Sequence, residues 1–174
     1  MLYFNTLSSI KKSKARQPIG YKQAKSIGII FNIEDINKHK AIKRFISMLE
    51  DDGKSVQVLS FLGKGRDNHE FLFEFITDED ITMWGSISNE VALKFIENKF
   101  DFLFHLDSKR LDIAENILSK CNARCRVGMP ASESDHSINV EKFYEIIILP
   151  KKDVTIDYQL DEILHYIKKV TSDV

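Results

Sequence analysis

The chain has 174 residues, of which 43% are apolar and 29% charged, with a formal net charge of −1. That length suits one domain with a proper buried core, and the composition is ordinary globular usage. No apolar run approaches the ~20 residues needed to span a bilayer. Residues 1–10 lack the basic start, long apolar stretch and small-residue cleavage site of a signal peptide. Two cysteines, Cys121 and Cys125, provide no disulfide framework, so a cytoplasmic location is the expectation.

The charge is unevenly placed. Residues 1–25 hold Lys11, Lys12, Lys14, Arg16, Lys22 and Lys25 and no acid, contributing +6 and leaving −7 on the remainder. A basic arm can touch nucleic acid or anionic lipid. No aromatic residue interleaves with Lys11, Lys12, Lys14 and Arg16, so no base-stacking platform is written there. A solvated leader is the simpler account, and nucleic acid is not the expected partner.

In the leader, Leu2, Phe4, Leu7 and Ile10 have near-helical spacing before Pro18 and Gly20 break the pattern. Residues 26–33 (SIGIIFNI) form a continuous apolar run, as expected of a strand covered on both faces. Over 39–52, Ile42, Phe45, Ile46 and Leu49 fall at helical spacing, and Gly53 supplies a stop. Residues 55–62 (SVQVLSFL) read as the next strand, completing a unit of the length of a right-handed crossover. A glycine turn follows at 63–68. Residues 69–77 (HEFLFEFIT) alternate, which suggests a sheet edge. An irregular segment over 78–88 holds the single tryptophan, Trp84.

Ser88 is placed to cap a helix over 89–98 that buries Val91, Ala92, Phe95 and Ile96. Residues 100–106 (FDFLFHL) are a strand. Asp107 or Ser108 is then placed to cap a helix whose inner face is Leu111, Ala114, Ile117, Leu118 and Cys121. A strand over 123–129, a polar loop over 130–140 and a β-branched strand over 143–149 follow. A last amphipathic helix carries Ile156, Leu160, Ile163, Leu164 and Ile167. The alternation predicts an α/β fold, a three-layer Rossmann-like open and mostly parallel sheet of about five to six strands flanked by helices. The basic leader takes 1–25, and a single domain takes 26–174.

In such folds ligands sit outside the carboxyl ends of the strands. The residues there are Asn32 and Glu34 after the first strand, Gly63, Lys64, Gly65 and Arg66 after the second, and His105, Asp107 and Ser108 after the fourth. Gly63–Arg66 offers two glycines and two cations for a phosphate. However, a strand rather than a helix follows it, and both the Walker pattern and G-x-G-x-x-G are absent. His105 and Asp107 point to one side of an extended chain and could share acid–base work. The alternative is a capping aspartate beside a half-buried histidine. No nucleophile elbow precedes them. Cys121-x3-Cys125 lacks a second pair at zinc spacing, and the five histidines form no ligand pattern, so no metal site is expected. Trp84 could line a ligand site, a dimer patch or the core. Glu50, Asp51 and Asp52 read as a solvated helix end.

Two resemblances follow from particular residues. K-S-I-G-I-I-F-N, the helix ending E-D-D-G-K, and F-D-F-L-F-H-L-D with R-V-G downstream resemble a family of short bacterial proteins of unknown function, over nearly the whole chain. Phe100–Asp107, the helix after it and Cys125–Gly128 are similar to the acceptor half of heptosyltransferase-like GT-B glycosyltransferases. That likeness implies shared fold and a site at the strand ends. The glycine–aspartate loop of those enzymes is replaced here by Asn32–Asp35, and their sugar-nucleotide half has no counterpart. The expected function is therefore a domain without catalysis of its own that binds a protein partner, a second copy or a small ligand. The alternative is a nucleotide- or sugar-nucleotide-related binding or transferase-like domain. No particular cofactor is implied.

Overall fold

The computed structural model describes residues 19–63, 73–82, 86–107, 111–129, 143–151 and 153–170. Within them the chain runs β1 (Ser26–Asn32), α1 (Ile36–Asp51), β2 (Ser55–Phe61), β3 (Phe75–Ile76), a 3-10 turn (Asp78–Asp80), α2 (Glu90–Glu97), β4 (Lys99–His105), α3 (Asp112–Lys120), β5 (Asn122–Gly128), β6 (Ile146–Ile147) and α4 (Ile156–Ile167). The six strands make one sheet in the order β3-β2-β1-β4-β5-β6. Every strand pair in it is parallel.

This is the doubly wound Rossmann-like order, in which winding reverses between β1 and β4. α1 and α4 cover one face, packing Ile42, Phe45, Leu49, Leu160, Ile163 and Leu164 on Ile27, Ile29, Phe31, Phe102, Phe104 and Val127. α2 and α3 cover the other, packing Ala92, Phe95, Ile113, Ile117 and Leu118 on Ile30, Leu59, Leu103 and Ala123. Burial on both faces explains why the central strands are continuous apolar runs rather than alternating ones. Among the described residues no helix is long and apolar enough to cross a membrane.

α1 starts earlier than its apolar spacing suggests. Asp35 adopts extended backbone and its side chain accepts from the Lys38 N–H at 2.8 Å, capping the polar first turn. It ends at Gly53, whose φ of 74° is the left-handed conformation that a side chain disfavours. There Gly53 N–H donates to Glu50 O and Lys54 N–H to Leu49 O, closing the last turn. The acids at this end are not merely solvated, because Asp52 accepts from Tyr21 Oη and pairs with Lys168 Nζ, both at 2.7 Å. Ile19, Tyr21 and Ala24, within the expected leader, are buried in the α1/α4 core.

Three expectations are corrected. Asn89 rather than Ser88 caps α2, accepting from Val91 N–H and Ala92 N–H, while Ser88 Oγ donates to Asp80 O. Asp107 does not cap α3; the residue before that helix is Leu111, which offers no side-chain cap. The strand expected over 143–149 shrinks to Ile146–Ile147. There the Glu145 carboxylate accepts the Arg126 N–H at 2.6 Å, taking a donor that a strand carbonyl would otherwise receive. Phe143 is folded into the interior. At the other edge β3 is equally short, and residues 69–72 of its expected run lie outside the described residues, as do 64–68, Trp84 and the 130–140 loop.

Candidate functional site

The reversal of winding between β1 and β4 opens the fold at the carboxyl ends of these two strands. Ile30 pairs with His105, which sets Asn32 level with Asp107. Leu106 N–H donates to Ile30 O at 2.9 Å, holding the two strand ends together as far as this point. Beyond it the backbone N–H of Asn32 donates to both carboxylate oxygens of Asp107, at 3.0 and 2.9 Å. From the first turn of α1, Lys38 Nζ reaches Asp107 Oδ1 at 2.5 Å and Glu34 Oε1 at 3.2 Å. Asp107 is 2% exposed and His105 3%.

The histidine is held from both sides. Its Nδ1 lies 2.5 Å from Tyr144 Oη, and the two rings are nearly parallel, 17° apart. Its Nε2 lies 3.2 Å from Asp107 Oδ2 but off the N–H axis, so the contact is a close attraction without an aligned hydrogen bond. Burial raises the Tyr144 phenol far above its ordinary value, and the charges of Glu115 and Asp107 push it the same way. The phenol therefore keeps its proton. A proton on Nε2 faces the carboxylate favourably, whereas a lone pair there would oppose it, so Tyr144 donates to Nδ1.

Tyr144 reaches this place over Gly128, which pairs with His105 on the neighbouring strand. A Cβ at Gly128 would lie 2.5–2.6 Å from the Tyr144 ring. The glycine of the R-V-G segment is thus the space the tyrosine occupies. The Arg126 side chain is also buried, with Nη1 3.5 Å from Phe143 O.

For Asp107, burial alone would raise the carboxyl, but the contacts with His105 and Lys38 outweigh it and hold it below its ordinary value. Its folded value is thus lower than its unfolded one. Its contribution to stability is full above the unfolded value near pH ~3.9 and is lost as pH falls through the folded value. Denaturant midpoints at pH 7 and pH 3 are expected to fall less in Asp107→Asn than in the parent. An equal fall would place the acid sensitivity elsewhere, for instance in Asp52 or Asp80, which are also held low.

Of the expected site residues, Asn32, Glu34, His105 and Asp107 come together. Gly63 stands just past the end of β2, and among the described residues a side chain there would meet nothing within 4 Å. Lys64, Gly65, Arg66 and Ser108 lie outside the described residues. The sequence reading did not pick out Lys38 and Tyr144. Lys38 carried a usable signal, being three residues after a capping aspartate and four after Glu34. Among the described residues no cluster of three metal-binding side chains occurs.

A pocket of about 140 Å³ opens beside the cluster, lined by Glu34, Asp35, Asn37, Lys38, Leu106, Met129, Ile156 and Gln159. A nucleotide-binding crevice of this fold offers free amides and a helix N-terminus to phosphate. Here the Asn32 amide carries Asp107, and the first turn of α1 carries Asp35. The strand-end segments quoted above lie within one stretch, residues 3–170, that fits the model of a family of unknown function, DUF6913.

The chain belongs to that family. The match spans nearly the whole chain and agrees with the resemblance to an uncharacterised family. No curated protein matches the chain.

Proposed function

We propose that this member of the family is a Rossmann-like binding domain that performs no chemistry at its crevice and acts by holding a protein partner or a small ligand. The observation that carries the reading is Asp107. Its buried carboxylate takes the Asn32 amide and the Lys38 ammonium, the donors that a bound phosphate would need. The buried His105 ring is engaged by the Tyr144 hydroxyl at Nδ1 and faces Asp107 at Nε2, which suits support of the strand ends better than proton transfer to a substrate. The buried cysteines Cys121 and Cys125, which form no disulfide with each other, fit a cytoplasmic setting.

A thermal-shift screen against nucleotides, sugar nucleotides, dinucleotides and flavins tests this. A ligand at a hundred times its Kd adds ~2.7 kcal/mol, a rise of roughly 5–10 °C in a chain of this size. A flat profile at millimolar ligand is the expected result. A concentration-dependent rise for one class would establish the nucleotide-related alternative.

A second reading is favoured by the 140 Å³ pocket over Lys38 and Glu34. Sites for drug-sized ligands run about 300–1,000 Å³, so this one suits a small polar molecule and not a whole nucleotide or sugar nucleotide. Fold kinship with GT-B acceptor domains is compatible with either reading and brings no glycosyl transfer with it.

A further inference from the structure

Among the described residues, most of the large apolar side chains open to solvent lie on one face. Ile147, Leu149, Tyr158 and Tyr166 are four of the five large apolar side chains most open to solvent among the described residues. They line a groove of about 460 Å³ between β6 and α4, with Met129, Ile146 and Ile148 beneath. β6 is the last strand of the sheet, so its outer edge has no strand beside it among the described residues. Such an edge, left open and apolar, pairs readily with another chain.

The groove carries one charge on each wall. Lys151, just after β6, reaches Glu162 on α4 at 2.5 Å, and the two side chains are 54% and 24% exposed. A copy turned by 180° sets its own acid against this lysine and its own lysine against this acid. The face is therefore complementary to itself in charge, as a two-fold contact requires. A strongly acidic or basic peptide would instead meet a like charge on one wall.

We propose that this face joins two copies of the chain, β6 beside β6 across a two-fold axis, burying Leu149, Tyr158 and Tyr166 and setting Lys151 against Glu162 of the partner subunit. The proposal rests on the partner-binding reading above only in taking a protein as the occupant. The crevice cluster plays no part in it.

Sedimentation of the full chain over micromolar to sub-millimolar concentrations reads the association directly. A monomer–dimer equilibrium is expected. Leu149→Asp, at an exposed position and with its fold checked by circular dichroism, is expected to raise the Kd by at least about tenfold, 1.4 kcal/mol. Lys151→Glu and Glu162→Lys should each weaken self-association through two like-charge contacts. Mixed together, the two variants should recover a heterodimer in which both contacts are attractive. A pair acting only within one chain cannot give that recovery. A chain that stays monomeric throughout, a dimer indifferent to Leu149→Asp, or a mixture without recovery would each overturn the proposal. None of these results alters the nucleotide screen, and a positive nucleotide screen would leave the dimer standing.

Discussion

Asp107→Ala is expected to destabilise the fold by about 3–5 kcal/mol, the usual cost of removing one partner from a buried charged pair. The reason lies in what remains. Among the described residues Lys38, buried at the crevice, keeps only Glu34, and the Asn32 N–H loses the two carboxylate oxygens that now receive it. His105 loses the charge that its Nε2 faces at 3.2 Å. Urea unfolding at neutral pH should show a lower midpoint with the same slope, since the surface exposed on unfolding is unchanged. Lys38→Met should be costly too, because it strands the carboxylate. The pair replaced together, Lys38→Met with Asp107→Leu, should cost less than the two single effects added, since no buried charge is then left without its partner. Additive effects would mean that the two residues do not act as a unit.

Gly128→Ala has the second-largest expected effect, about 1–3 kcal/mol from overpacking. The added Cβ collides with a ring rather than with the end of a flexible chain. Because Tyr144 is pinned at Oη by His105, it cannot yield without breaking that contact. The backbone at Gly128 is not in the left-handed region, so the whole penalty is steric. In a Tyr144→Leu background the same Gly128→Ala change should cost markedly less, as measured by thermal or urea unfolding. An equal cost in both backgrounds would show that the ring is not the obstacle.

Both predictions concern residues whose partners are far apart in the chain, and that separation explains what sequence reading reached. β1, β2, β4 and β5 were legible to within a residue: β1 and β4 are apolar runs buried almost throughout, and β2 and β5 end in buried residues after an alternating, partly exposed start. The last helix was legible because five apolar residues share one stripe. The extent of the last edge strand was not. Phe143 to Leu149 has strand composition, yet a single side chain, Glu145, takes the backbone donor at which pairing would begin. Composition cannot announce that event.

At the site, Asn32, Glu34, His105 and Asp107 were reachable by one rule, that strand ends face the crevice. The role of Asp107 was not, since a strand-final aspartate before a helix has the local chemistry of a cap. Only the register of β1 against β4 turns it toward Asn32. Tyr144 joins His105 across 39 positions, and its one local trace is the glycine that makes room for it. In R-V-G, the glycine explains itself only once the tyrosine is seen above it.

In the proposed function the chain's own carboxylates occupy the phosphate-binding donors of the crevice. The most direct measurement follows the backbone amides of Asn32 and Lys38 in an isotopically labelled sample titrated with a nucleoside diphosphate and, separately, with NAD, both to millimolar concentration. These two amide resonances should stay where they are, held by Asp107 and Asp35. Saturable shifts of both, tracking ligand concentration, would contradict it, because they would mean that phosphate displaces the carboxylates and that the crevice is a nucleotide site after all.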